Sequence, residues 1–415
     1  AKDCRMNQSS CRLADLQQGR IANIYPGGRT RCLFGSQFLF RVWPGDSDKL
    51  MIHLDGGGAC WDEMTTVDLT ACVTEAGLPP WVGAYNKFTE VTEGKPNPFE
   101  GYTAVLIPHC SGDLHTGSVR RSFRNKVDAD TPVEQRGYNN ARAVIDWVKA
   151  NIAPKLSHFA ISGESAGAIG LGAWGKTLLS EFQYERATLL ADSYVGIFPD
   201  GFQGPVFHDL GACETGLLKG KQLEMCRNNE TTVSGLFRDV INEFAGSPNV
   251  LFGSFNSKHD VVQTAFYNTA AGSMRVKKAL AYCGPVDINE CDLNGAPAEV
   301  MEDIPLLEDT EYHRRMEEVV EQYGQNSNYV SYLMSGGSHT MQAFAFGRVP
   351  LLDYSQVQGG WLGGADGEQR QSAQQWLRDF YGPSAAKGSH CERMLQDEDD
   401  WCREAQELKS VKHTF

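Results

Sequence analysis

His158-Phe159-Ala160-Ile161-Ser162-Gly163-Glu164-Ser165-Ala166-Gly167-Ala168-Ile169-Gly170-Leu171-Gly172-Ala173-Trp174 sets an apolar run, a Gly-x-Ser-x-Gly turn and a small-residue stretch in immediate succession. That order predicts strand, sharp turn and helix, the setting of a nucleophile elbow. A serine on so tight a turn needs glycine at both flanks, because a side chain there would collide with the backbone of the neighbouring strand or helix. The string alone recurs by chance as an ordinary glycine turn. With the strand before it and the helix after it, it points to acyl-transfer chemistry at Ser165.

Outward from the elbow, Leu50–Leu54 and Thr103–Ile107 read as short buried strands, and Tyr138–Ile152 carries apolar residues at helical spacing. Ala187–Ala191, Asn249–Ser254 and Tyr329–Leu333 supply further strands, and Gln371–Phe380 a terminal helix. Strand alternating with helix predicts an α/β fold, an α/β-hydrolase-like doubly wound, mostly parallel sheet. The expected organisation is one catalytic domain over 1–415, with 198–248 as an inserted cap and 383–415 as a disulfide-linked appendage. No internal repeat or low-complexity linker interrupts it.

A serine hydroxyl is a poor nucleophile until a histidine takes its proton and a carboxylate holds that histidine in the right tautomer. On this fold the partners follow in the order serine, acid, histidine. Asp260, in Asn256-Ser257-Lys258-His259-Asp260, and His339, in Ser335-Gly336-Gly337-Ser338-His339, each stand just past a predicted strand. Asp192 is the rival acid one strand earlier, and His259 precedes the acid and so breaks the chain order. Gly56-Gly57-Gly58 ends the His53-containing strand, where bare backbone amides can meet a developing oxyanion; Gly57, Gly58 and Ala166 are the expected donors. His109 and His115 bracket Cys110-Ser111-Gly112-Asp113 without a recognisable ligand spacing, so hydrogen bonding near the cleft is expected there, and no metal or other cofactor.

Composition narrows the partners. The 415 residues are 41% hydrophobic and 22% charged, and 38 basic against 52 acidic residues leave a net charge of −14. That balance disfavours nucleic acid, and the one short basic segment, Arg120–Lys126, reads as a solvated loop. No run approaches the roughly 18 apolar residues that cross a bilayer. The twelve cysteines lack a CxxC pair and fall into close sequence pairs, which suggests short disulfide loops formed in an oxidising compartment. The expected bridges are Cys4–Cys11, Cys60–Cys72, Cys213–Cys226, Cys283–Cys291 and Cys391–Cys402, with Cys32–Cys110 as the long link. Asn7-Gln8-Ser9 and Asn229-Glu230-Thr231 are glycosylation acceptors. A start at Ala1, with no initiator Met and no signal h-region, fits a secreted chain after processing.

These segments resemble the pectin acetylesterase family, in which plant pectin acetylesterases stand with the Notum carboxylesterase. Leu54-Asp55-Gly56-Gly57-Gly58-Ala59-Cys60 is similar to its Leu-Glu-Gly-Gly-Gly-Trp-Cys oxyanion segment. Gly163–Gly167 is similar to its elbow, and Asn256–Gln263 to its Asn-Ser-x-Tyr-Asp-x-Trp-Gln acid segment. Arg136-Gly137, Ala191-Asp192 and the Cys110 loop are similar too, so the ordered likeness runs from about Cys32 to about His339. It implies Ser165 as nucleophile, Asp260 as acid, His339 as base and the Gly57, Gly58 and Ala166 amides as oxyanion hole. Asp55, Ala59, Glu164, Ala168, His259 and Val262 depart from the family pattern in ways that bear on substrate rather than on reaction class.

The leading expectation is a secreted, monomeric serine carboxylesterase that deacetylates a polysaccharide, with Trp61, Trp81 or Trp174 as sugar-stacking surfaces or else as packing. The runner-up within the class is a lipid, protein-acyl or polyester hydrolase. A deep apolar pocket would favour it over a shallow aromatic cleft. A non-catalytic carbohydrate-binding protein on the same fold is the alternative from another class.

Overall fold

Apolar runs too short for helices, with both faces needing cover, make strands in the middle of a sheet flanked by helices. The computed structural model describes residues 2–77, 98–124, 130–284, 296–297, 304–340, 360–362, 373–382 and 388–392. In chain order its strands are β1 (Lys2–Arg5), β2 (Ala22–Tyr25), β3 (Phe40–Trp43), β4 (Asp46–Leu54), β5 (Tyr102–Ile107), β6 (Val119–Arg124) and β7 (Asp130–Gln135). They continue as β8 (His158–Glu164), β9 (Ala187–Asp192), β10 (Val250–Ser257), β11 (Tyr329–Met334), β12 (Gly360–Leu362) and β13 (His390–Glu392). The α-helices are α1 (Gly137–Asn151), α2 (Ala166–Glu181), α3 (Gln203–Asp209), α4 (Lys221–Arg227), α5 (Val233–Glu243), α6 (Val261–Cys283), α7 (Asp309–Tyr323) and α8 (Ala373–Tyr381).

Eleven strands join in the order β1-β2-β3-β5-β4-β8-β9-β10-β11-β13-β12. From β5 through β13 every neighbouring pair is parallel; β3 joins β2 and β5 antiparallel, and β12 closes the far edge antiparallel. The chain steps from β4 outward to β5, crosses back over β4 through α1 to β8, and then proceeds in the opposite direction through β9, β10 and β11. The order therefore reverses between β4 and β8, and the carboxyl ends of those two strands flank the crevice in which such sheets hold ligands. This is an α/β-hydrolase-like, doubly wound, mostly parallel sheet stabilised by disulfides.

Strand periodicity assigns the two layers. Leu50, Ile52, Phe159, Ile161 and Leu189 pack with Ala141, Val144, Ile145 and Val148 of α1 and with the apolar residues of α2 and α5. Met51, Ala160, Leu190, Phe255 and Tyr332 face the other way, onto Trp376, Leu377 and Phe380 of α8. Arg120–Lys126, read from sequence as a solvated loop, is corrected in part. Residues up to Arg124 form β6, paired antiparallel with β7, and Arg121 is held by Gln135 Oε1 at 2.7 Å and the carbonyl of Trp61 at 3.2 Å.

The disulfides Cys4–Cys11, Cys32–Cys110, Cys60–Cys72 and Cys213–Cys226 are present. Cys283 is also disulfide-bonded, while Cys291, Cys402 and the side chain of Cys391 lie outside the described residues, as do most of 383–415 and Trp81. Among the described residues no helix is long and apolar enough to cross a membrane.

Candidate active site

Strand β8 runs straight into α2 through Ser165, whose φ of 50° and ψ of −119° lie where a side-chain-bearing residue is strained. Close packing dictates the flanking glycines. A Cβ on Gly163 would stand 2.4 Å from the Gly167 carbonyl oxygen, and one on Gly167 would stand 2.0 Å from the Leu54 oxygen. The Ser165 amide donates to the Asp192 carbonyl at 2.9 Å, fixing the elbow to the end of β9.

The glycine run after β4 lies directly against the elbow: a Cβ on Gly56 would be 3.1 Å from Ser165 Cβ. Gly57 and Gly58 have φ of 144° and 71°, a path that β-carbon-bearing residues resist. Val73 N–H to the Gly57 carbonyl at 2.8 Å and Ala59 N–H to the Ala71 carbonyl at 3.2 Å hold this loop, and the Cys60–Cys72 bridge closes it. The N–H groups of Gly57, Gly58 and Ala166 find no acceptor among the described residues.

Asp260 caps α6. Its Oδ1 accepts from the Val262 and Gln263 amides at 3.0 and 2.9 Å, and its Oδ2 from Gln263 Nε2 at 2.9 Å. The same carboxylate, fully buried, holds His339 Nδ1 at 2.8 and 3.0 Å. An acceptor on Nδ1 leaves Nε2 as the basic nitrogen, and Nε2 is buried with no hydrogen-bond partner among the described residues. No direct Ser165–His339 hydrogen bond is present among the described contacts; the two are linked through the end of β9. Asp192 does not hold the histidine: its carbonyl receives the Ser165 amide and its carboxylate the Ser193 hydroxyl, at 2.7 Å. His259 instead pairs with Asp309 at 2.8 Å.

An apolar cavity opens beside the serine. It is partly open to solvent, and its walls include Gly58, Ser165 and Ala166 at one side and Trp61, Ile169, Val206, Phe207, Val233 and Phe266 elsewhere. One wall is a row of rings. Tyr194 stacks on Phe198 at 5.5 Å, Phe198 meets Phe202 at 5.3 Å, and Phe202 meets Trp61 edge-on at 5.1 Å. Burial, with a smaller contribution from the Asp260 charge, pushes the Tyr194 hydroxyl well above its usual range. The row escaped the sequence reading, although the four-residue spacing of Tyr194, Phe198 and Phe202 was there to be seen. Trp174, a candidate sugar platform, is buried and stacked on Tyr138 at 5.5 Å.

Beneath the glycine loop lies a group of buried polar side chains. His53 Nδ1 meets Ser162 Oγ at 2.7 Å, His109 Nε2 accepts from the Leu114 amide at 3.0 Å, and His115 Nε2 donates to the Asp55 carbonyl at 2.9 Å. His53, Asp55 and Glu164 offer ligand atoms within 4.8 Å of one another, and the buried guanidinium of Arg41 already counters Asp55. Burial lowers His53 to about 3 and His115 to about 4 from the ordinary 6.5, and lowers His109 well below it. The unfolded chain therefore binds more protons below pH 6.5, so the stability these rings contribute is complete above 6.5 and declines as pH falls toward their folded values. Asp113 has the opposite sign: burial raises it to about 6 from 3.8, which offsets one ring between those values. With each group worth up to about 1.4 kcal/mol per pH unit, thermal melts should show a steady fall in Tm from pH 7 to pH 5. A flat profile would mean that these rings are not buried and neutral.

No protein-family model matches this chain, and no curated protein matches it by sequence. Among solved structures, one crystal form of the Wnt deacylase Notum from Drosophila is similar at 15% identity over 88% of this chain and 93% of that one, with a TM-score of 0.49. A second crystal form is similar at 16% identity over 77% and 85%, with a TM-score of 0.43. The fold class rests on the strand order and the reversal between β4 and β8.

Proposed function

We propose that this chain is a secreted serine carboxylesterase that forms an acyl-enzyme on Ser165, and that its substrate carries a medium or long acyl chain. The observation that supports the reading best is a strained elbow serine opening onto an apolar cavity, with a buried carboxylate–histidine pair at the next strand ends. In the proposed reaction Ser165 Oγ attacks the ester carbonyl carbon while His339 Nε2 takes its proton. The oxyanion is met by the Gly57, Gly58 and Ala166 amides, which have no acceptor among the described residues. His339 then passes the proton to the leaving alkoxide, and the alcohol departs. Water attacks the acyl-enzyme with His339 again as base, and the proton returns to Ser165 Oγ as the carboxylic acid leaves. Asp260 stays ionised and fixes the tautomer.

The aromatic and aliphatic walls beside Ser165 favour the lipid, protein-acyl or polyester reading over polysaccharide deacetylation, since they offer a sugar few polar partners. In this reading segment 198–248 acts as the cap, because Phe198, Phe202, Val206, Phe207 and Val233 come from it. The disulfides and the exposed Asn7 and Asn229 support an extracellular site with glycans at both positions. Hydrolysis of p-nitrophenyl acetate, butyrate and octanoate tests the choice. Burial of about 0.8 kcal/mol per methylene predicts kcat/KM rising at least tenfold from acetate to octanoate. Activity confined to acetate would return the assignment to acetylated polysaccharides, and no activity on any ester would favour the binding-protein alternative.

A further inference from the structure

We propose that Ser193 is a positioning residue that holds the catalytic base against the elbow; the inference rests on the assignment of Ser165 and His339 just given. The loop carrying His339 leaves the sheet after β11, and two sets of contacts fix it. On the side of the acid, the amides of His259 and Val261 donate to the Gly336 and Gly337 carbonyls at 3.1 and 3.3 Å. Toward the nucleophile, the Thr340 amide donates to Ser193 Oγ at 2.7 Å. That hydroxyl in turn donates to Asp192 Oδ1 at 2.7 Å, and the carbonyl of the same Asp192 receives the Ser165 amide.

One dipeptide at the end of β9 thus touches the backbone of the nucleophile and the residue after the base. Ser193 is fully buried, and its amide is fixed to the Phe255 carbonyl at 2.7 Å. It has a φ of 61°, and Thr340 has one of 56°. A side-chain-bearing residue keeps such a conformation only where its surroundings over-determine it. The Asp260 carboxylate fixes the ring's tautomer, while the Ser193 hydroxyl fixes how far the ring can swing from Ser165.

Ser193→Ala keeps the backbone demand and removes the hydroxyl; Ser193→Gly removes the hydroxyl while relieving the positive φ, and so remains readable if the alanine variant folds poorly. Misplacement of a catalytic group by about 1 Å costs on the order of 100-fold. The expected result is a kcat on p-nitrophenyl octanoate reduced 10- to 100-fold, about this range, with KM unchanged, and labelling of Ser165 by a fluorophosphonate slowed by the same factor. Both effects should persist well below the melting temperature of each variant. If the wild type is active and both variants keep its kcat, or lose activity only in step with thermal unfolding, the tether role is wrong while the esterase assignment stands. If the wild type itself neither turns over nor labels, the assignment on which the tether rests has failed.

Discussion

Ser165→Ala is expected to lower kcat for ester hydrolysis on the order of 10^6-fold, the scale seen when a triad nucleophile is removed, with thermal unfolding close to that of the parent. The size of the effect follows from covalent chemistry: without an oxygen at this position no acyl-enzyme forms, and water must attack directly. The small cost to the fold follows from the local structure. The Ser165 side chain makes no hydrogen bond among the described contacts, and alanine meets the positive φ no worse than serine does. Stopped assays with purified protein on p-nitrophenyl octanoate, alongside a melt, check both halves. Retention of activity within tenfold of the parent would remove Ser165 from the mechanism.

Asp260→Asn is expected to cost about 10^4-fold in kcat, again with little loss of stability. Asparagine is as good a helix N-cap as aspartate, so the Val262 and Gln263 amides keep an acceptor. The other half of the side chain becomes an NH2 group facing two donors, Gln263 Nε2 and His339 Nδ1–H. His339 relieves the conflict by moving its proton to Nε2, where it no longer accepts the Ser165 proton. Asp260→Ala should lose the same activity and also roughly 1 kcal/mol or more through the missing cap. A melt together with kcat and KM for the two variants separates the roles. Full activity in the asparagine variant would transfer the role of acid to another residue, with Asp192 the first to test.

The turn at Ser165 and the strand-end placement of Asp260 and His339 were legible in the chain because each follows a short apolar run. The central strands were legible for the same reason, being buried on both faces. The cavity was not. Its walls come from positions as far apart as Gly58 and Phe266, and they meet only once the sheet and its crossovers have formed. β1, β2 and β3 were also missed; each is four residues long, too short for alternation to stand out. β6 was hidden by its arginines, of which Arg121 turns inward onto Gln135 and Trp61. Ser193 carries no motif at all, since its place depends on where the residue after His339 arrives.

The most direct test of the central claim is intact-protein and peptide mass spectrometry after exposure to an alkyl fluorophosphonate. The account predicts one adduct per chain, located on Ser165, lost in Ser165→Ala and formed far more slowly in Asp260→Asn. No adduct, or an adduct on another residue that persists in Ser165→Ala, would contradict it.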